Sequence, residues 1–386
     1  MKKGLLLLLF GIVISCFTIK ADEEEPKFKV SPSGRVLIDG ALYASPEKYL
    51  FKDGMAIPEA RLGAKMSYGK WSSWIDVGFA YGKIGLRNMW IQYDFNQHHS
   101  LRAGNYLQPF GLQSISSANV KATFEMPLAA SLFNSGLQLG VMYTFKNKSL
   151  YSATSFHVES SALTNVMNYP AFNQQGYTLL TRFVWRKAND DSASKPLFQA
   201  GLSLGFSSPE RTLINEEDKH DGFTISANFP TRVSTQSAIG VTITDAINRF
   251  KLSPELIFAY KRFGLESQYF FQTIAMKNHQ ESYQASGFYV TLRGLLMGKE
   301  YKYDSVYAQL ANPSKKSLEF VADYNYAKVG HKINANSLTM TLNYYFNQYI
   351  TARLNYTFTK VIDKNWIPDQ LVINQNAFQL RLMVLF

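Results

Sequence analysis

Along most of this chain apolar and polar residues alternate with a period of two, in stretches separated by Gly, Asn, Lys, Ser and Pro. Such a rhythm belongs to strands with one apolar and one polar face. The final stretch, AFQLRLMVLF, sets Phe378, Leu380, Leu382, Val384 and Phe386 against Gln379, Arg381, Met383 and Leu385. A charge on one face and an aromatic at the end describe the closing strand of an outer-membrane barrel. The register predicts strands at 34–43, 57–68, 71–81, 86–95, 99–107, 136–145, 149–158, 176–186, 197–206, 252–261, 264–276, 285–297, 316–327, 337–346, 349–360 and 376–386. These sixteen make an all-β protein, a transmembrane antiparallel β-barrel. Thr224–Phe229 and Thr235–Ala246 also alternate; taken as loop structure they leave sixteen barrel strands, and as wall strands they raise the count to eighteen.

With both ends in the periplasm, connections after even-numbered strands are periplasmic turns, and several are short: Gly69-Lys70, Asn96–His98, Lys146–Lys148 and Asn347-Gln348. Connections after odd strands include the long outer stretches 108–135 and 207–251, the usual asymmetry of such barrels. Gly298–Lys315 departs from it, being long on the periplasmic side. A barrel of this size is expected to hold a water-filled lumen instead of a side-chain core. In strand 337–346, Leu338, Met340, Leu342, Tyr344 and Phe346 face lipid while Ser337, Thr339, Thr341 and Asn343 face the lumen. Strand 349–360 repeats the division, with Arg353 among its inward residues.

The N-terminus does not alternate. Lys2 and Lys3 precede an apolar run from Gly4 to Phe17 and a small residue at Ala21, the layout of a secretory signal. The expected organisation is a signal peptide over 1–21, a periplasmic segment over 22–33 and the barrel over 34–386. Val13-Ile14-Ser15-Cys16 also fits a lipobox, which would make Cys16 a lipidated N-terminus. Cys16 is the sole cysteine, so disulfides, thiol chemistry and cysteine metal sites are excluded downstream of it. Loss of Lys2, Lys3 and Lys20 lowers the formal charge from +11 to +8, which suits anionic solutes or an anionic leaflet better than nucleic acid. The 23 Tyr and 28 Phe supply interfacial girdles around the lipid-facing band.

Several blocks in order resemble the phosphate-selective porin O and P family of Gram-negative outer membranes. They are Gly34-Arg35 with Asp39, Ala60-Arg61-Leu62-Gly63 followed by Trp71–Phe79, and the run Val77–Phe95. Leu101-Arg102-Ala103-Gly104 with Pro109-Phe110-Gly111-Leu112, the block Gly287–Glu300, Ser317–Tyr324 and Asn376–Phe386 complete the match. The resemblance implies a sixteen-stranded homotrimer in the outer membrane, in contact with its lipid. It also implies a third outer loop folded inward as a constriction, and basic side chains that select anions such as phosphate. Leu107–Gly136 stands where that loop belongs, yet it carries one basic residue, Lys121, and one acidic residue, Glu125. Asp323 stands where the family would place an arginine.

Parity turns Arg35, Arg61, Lys65, Arg102, Arg182, Arg186, Arg293, Arg353 and Arg381 inward, with Asp39, Glu59, Asp76, Asp94, Glu255, Glu266, Glu319 and Asp323. Basic rings select anions because an ion shedding water needs donors and positive potential. A lumen so nearly balanced could instead brace its wall with ion pairs. The pore-lining candidates are Arg35, Arg61, Lys65, Arg102, Lys121, Arg182, Arg293, Arg353 and Arg381. Trp74 and Trp90 point inward, either to stack on sugars or to pack on the inserted loop, whereas Trp71 and Trp185 point to lipid. The six histidines lie in turns, loops or strand ends and carry no metal-binding spacing. Ser155 and His157 share a strand face, but no orienting acid accompanies them, so no catalytic residue is assigned. No cofactor or metal is expected. The expected function is passive diffusion of small hydrophilic solutes with a preference for anions; a non-selective or sugar-preferring pore and a structural or adhesive barrel are the alternatives.

Overall fold

The computed structural model describes residues 26–386 apart from 48, 81–82, 159–175, 189–191, 210, 215–216, 221, 279 and 366–370. The expected signal peptide, with Cys16, lies outside the described residues. Sixteen strands pair antiparallel into one closed barrel. They are β1 (Lys29–Tyr43), β2 (Gly54–Tyr68), β3 (Trp71–Ala80), β4 (Lys83–Asp94), β5 (His99–Leu107), β6 (Leu137–Lys146), β7 (Leu150–Val158), β8 (Tyr177–Lys187), β9 (Leu197–Ser208), β14 (Ala246–Tyr260), β15 (Phe263–Met276), β16 (Tyr283–Met297), β19 (Ser317–Val329), β20 (Ile333–Tyr345), β21 (Ile350–Asp363) and β22 (Leu371–Leu385). The remaining strands form three hairpins: β10 (Arg211–Ile214) with β11 (Glu217–His220), β12 (Phe223–Asn228) with β13 (Ser237–Ile243), and β17 (Tyr303–Asp304) with β18 (Gln309–Leu310).

Closure satisfies the backbone of the first and last strands, which in lipid has no water to bond. β1 pairs β22 from Arg35 opposite Leu385 to Tyr43 opposite Ala377. At this seam the Gly34 amide donates to the Phe386 carbonyl (2.6 Å), and the Phe386 amide donates back to the Gly34 carbonyl (3.2 Å). A Cβ on Gly34 would collide with the Phe386 ring. The seam thus needs glycine opposite the terminal aromatic. Aromatic clusters mark the periplasmic rim: Trp71 with Tyr93 at 4.7 Å, Tyr93 with Phe95 at 5.1 Å, and Tyr344 with Phe346 at 4.6 Å.

Several strands start earlier than alternation alone suggests, and β1 and β14 show why. β1 takes in Lys29–Ser33, which pair with Ser67–Gly63, so part of the expected periplasmic segment is barrel wall. β14 begins at Ala246, which brings Arg249 and Lys251 into the wall. In both cases polar residues at the strand end hide the alternation while ladder pairing still extends it. Thr224–Phe229 and Thr235–Ala246 add no further wall strands; most of their residues belong to the β12–β13 hairpin, which pairs only with itself, and Ala246 opens β14.

The expected open, wet lumen is corrected by two hydrophobic clusters inside the barrel. One joins Phe223, Ile225, Ile239 and Ile243 of the β12–β13 hairpin to Leu128, Ala129 and Phe133 of the 108–136 loop and to inward Phe270, Ala327, Ala335 and Val361. The other joins Tyr301, Tyr303, Ala308 and Leu310 of the long periplasmic connection to Tyr151, Val184, Leu197 and Ile257. Inward small residues such as Ala153, Ala259, Ala285 and Ala335 leave the volume that these insertions fill. The barrel is therefore packed from both ends.

Candidate functional site: a basic cavity beside the packed lumen

The 108–136 loop contains two short helices, α1 (Gly111–Ile115) and α2 (Leu128–Ser131). Wall side chains donate to its carbonyls: Asn343 to Ala122 (2.8 Å), Arg353 to Thr123 (2.9 Å), Arg381 to Phe124 (2.6 Å) and Lys251 to Phe133 (3.0 Å). These four donors hold the loop across the inside of the barrel. From the other end, Arg182 donates to Tyr307 (2.9 Å) and Ala308 (2.8 Å), and Arg186 donates to Ser305 (2.7 Å). The two insertions touch where Ser116 donates to Gln309 (2.6 Å) and Asn312 donates to the Asn119 carbonyl (2.8 Å).

Beside the insertions lies a cavity of about 420 Å³ on the β1–β7 side. It reaches from Arg232, on the outer connection, to Lys146 and Asp304 at the periplasmic end. Arg35, Arg61, Lys65, Arg102, Lys121, Lys146 and Arg232 line it, against Glu59 and Asp304. Seven basic groups to two acidic is far from the balance counted over all inward residues. Glu59 is shared by Arg35 Nε (2.6 Å), Arg61 (2.8 Å) and Arg232 (3.3 Å), so this carboxylate leaves surplus positive charge around it. Arg61 also reaches Asp76 at 3.4 Å. Arg102 donates through Nε (3.0 Å) and Nη2 (2.7 Å) to the neutral Gln92 Oε1 and keeps its full charge toward the cavity.

Of the pore-lining candidates, Arg35, Arg61, Lys65, Arg102 and Lys121 come together on this cavity. Arg182, Arg293, Arg353 and Arg381 do not. They have inward parity but are buried beneath the insertions. Arg182 clasps Glu255 through two bonds (2.9 and 2.7 Å), and Arg293 bridges Glu319 (2.8 Å) and Glu266 (2.6 Å). Arg381 clasps Asp39 (2.7 and 2.6 Å) and also meets Glu125 at 2.6 Å. Their acids are consumed by these pairs, which is why the open side is basic while the total is nearly even. Arg353 spends its bond on the loop carbonyl of Thr123.

Arg232, Lys146 and Tyr106 also line the cavity and were not among the candidates. Lys146 continues the inward parity of Met142 and Thr144 by one step beyond the expected strand end. Arg232 follows an apolar-alternating arm, Phe223 to Phe229, whose buried face is the signal that its hairpin turns inward. Between Arg232 and the loop, Glu125 binds Arg232 at 2.7 Å as well as Arg381. Burial would raise the Glu125 pKa, but Arg232 and Arg381 outweigh it and hold the carboxyl at about 2. Glu125 in turn raises Arg232 above its ordinary value, with burial opposing. Burial pushes Lys121 down to about 7; Glu125 opposes this and Arg232, Arg35 and Arg353 reinforce it.

Ser155 and His157 are hydrogen-bonded at 3.0 Å and buried in the wall, with the Tyr106 ring tilted against the imidazole at 5.1 Å between centroids. Among the described residues no group of three His, Cys, Asp or Glu is placed to hold a metal ion.

A closed antiparallel barrel with an apolar outer belt and a charged cavity along its inner wall is an outer-membrane diffusion channel. A family model for phosphate-selective porin O and P matches residues 33–386, nearly the whole chain, and the protein belongs to that family of outer-membrane porins. Among solved structures it is similar to an anion-selective porin from Comamonas acidovorans, at TM-score 0.61 and 10% identity over 93% of this chain and 100% of that one. It is also similar to the trimer form of OmpT, an outer membrane protein of Vibrio cholerae, at TM-score 0.57 and 11% identity over 93% and 99%. A third likeness is to the outer membrane channel DcaP of Acinetobacter baumannii, at TM-score 0.55 and 10% identity over 96% and 99%. Comparison with curated proteins finds no match.

Proposed function

We propose that this porin passes small anions, inorganic phosphate among them, in preference to cations, by diffusion along the basic cavity and without a chemical step. The single observation that carries the reading is the seven-to-two ratio of basic to acidic residues on that cavity. An anion losing water there gains donors and positive potential from Arg35, Arg61, Lys65, Arg102 and Lys121 in return. Even the aromatic part of the wall carries positive charge, since Lys65 lies 4.9 Å from the Trp74 ring centre and Arg102 lies 4.1 Å from that of Trp90. We read the assembly as a homotrimer, by analogy with the trimer form of the Vibrio cholerae protein. Reversal potentials across a planar bilayer under a potassium chloride gradient test the selectivity. The sign should report chloride as the more permeant ion; a potassium-preferring sign overturns the proposal.

A further inference from the structure

The cavity wall carries a second chemistry that bare phosphate does not use. Trp74 and Trp90 stand opposite each other on β3 and β4, their rings perpendicular with centroids 6.4 Å apart. Both are only partly buried, and both line the cavity. Two perpendicular indoles present a face and an edge at a corner, which is how flat rings are gripped. A cation sits at each: Lys65 at Trp74 and Arg102 at Trp90. Arg102 is also 5.7 Å from the Tyr106 ring, and the Tyr106 hydroxyl is buried without a hydrogen-bond partner among the described residues. A buried hydroxyl left unpaired is costly unless a ligand or water completes it.

We infer that Trp74, Trp90, Lys65, Arg102 and Tyr106 form a binding subsite for organic anions that join a flat aromatic ring to a carboxylate. The ring lies in the corner of the two indoles while its carboxylate meets the Arg102 and Lys65 charges, and the Tyr106 hydroxyl supplies a further donor. A small spherical anion uses only the charges. A neutral ring uses only the indoles. The combination rewards an anion that carries both, and retention at such a site shows as transient block of the ion current. This inference rests on the anion-preferring reading above and names a class of substrate within it.

The test uses the full-length mature protein, extracted in detergent and reconstituted in planar bilayers, with benzoate and acetate as matched probes of one charge with and without a ring. The concentration giving half-block of the chloride current should be about tenfold lower for benzoate than for acetate, as expected for about 1.4 kcal/mol of ring contact. In Trp74→Ala/Trp90→Ala the two concentrations should converge to within about twofold, and Trp74→Phe/Trp90→Phe should restore most of the difference. Equal block by the two acids in the wild-type channel overturns the inference, and so does a benzoate advantage that survives the double alanine variant. The wild-type comparison stands even if the alanine variant fails to assemble. A cation-preferring reversal potential overturns the parent reading instead, and is seen before either acid is added.

Discussion

Arg232 Nε lies 2.7 Å from Glu125 Oε1, joining the outer hairpin connection to the loop that crosses the lumen. The same guanidinium reaches Glu59 on β2 at 3.3 Å. One cation therefore covers two carboxylates beside the open path, and at the outer end it completes a chain of charges running Asp39, Arg381, Glu125, Arg232, Glu59, Arg35. The position follows from packing: the apolar face of the β12–β13 hairpin is buried against α2 and the inner wall, and the turn it carries inward bears Arg232.

Arg232→Ala should weaken anion preference more than the loss of one distant charge would. It removes a positive group and uncovers Glu59 and Glu125, which stay ionised because Arg381 and Arg35 still hold them. A unit charge about 8 Å from a passing ion at an effective dielectric of about 40 contributes about 1 kcal/mol, roughly fivefold in occupancy. The chloride-to-potassium permeability ratio, measured from reversal potentials, should fall by about that factor. A ratio unchanged at low and at high salt would mean that Arg232 lies off the permeation path.

Lys121 makes the selectivity pH-dependent. Its pKa in the folded protein is pushed down to about 7 from 10.5, so the group is charged below pH 7 and neutral above it. Anion preference should therefore rise as pH falls from about 8 to about 6 and flatten below that. The linkage sign is that of a lowered base. Folding carries the cost of charging Lys121 in full below the folded value, and the cost fades to nothing as pH rises toward the unfolded one. Glu125, held at about 2, adds no titration in this window. Lys121→Met should abolish the slope while leaving a measurable current. A slope that persists in this variant assigns the titration to some other group.

The strand plan was legible because membrane strands obey a rule written in single residues. Each of the sixteen expected wall strands exists, since one apolar face must meet lipid and the period is two. The site was only half legible, for a physical reason that parity does not encode. Arg102 and Arg182 have the same inward parity, yet Gln92 holds the first at the cavity while Glu255 and two carbonyls bury the second. Which partner an inward charge meets depends on where loops return: the 108–136 loop is expected to turn inward, but nothing in the alternation marks the 207–251 and 298–315 connections as doing so. Counting charges over the whole lumen therefore gave near neutrality where the open side is strongly basic.

The loop tether rests on two neighbouring wall arginines. Arg381 donates to Phe124 and stacks over its ring at 3.9 Å, and Arg353 donates to Thr123. In Arg353→Met/Arg381→Met the loop loses both bonds and Asp39 loses its partner. Removing one member of a buried pair costs about 3–5 kcal/mol, so thermal unfolding in detergent should shift down by several degrees. Single-channel recordings should show larger and noisier conductance, because the segment from Ala122 to Glu125 is freed to move. Unaltered conductance and noise would show that Asn343 and Lys251 suffice to hold the loop.

At the periplasmic end, Arg182 both neutralises Glu255 and fastens the 298–315 connection through Tyr307 and Ala308, and these two duties can be separated. Arg182→Met leaves a buried carboxylate with Gln199 as its remaining donor at 2.7 Å, so stability should drop by about 3–5 kcal/mol. Arg182→Met/Glu255→Gln removes the charge as well and should recover most of that loss, since replacing both partners of a buried pair is close to neutral. The fastening is restored in neither variant. Amide hydrogen exchange over 301–311, where the Tyr301 amide now bonds Lys261 at 2.9 Å and the Ala311 amide bonds Lys302 at 2.9 Å, should therefore be faster in both. Faster exchange in the single variant alone would mean that the segment responds to lost stability and that Arg182 does not hold it in place.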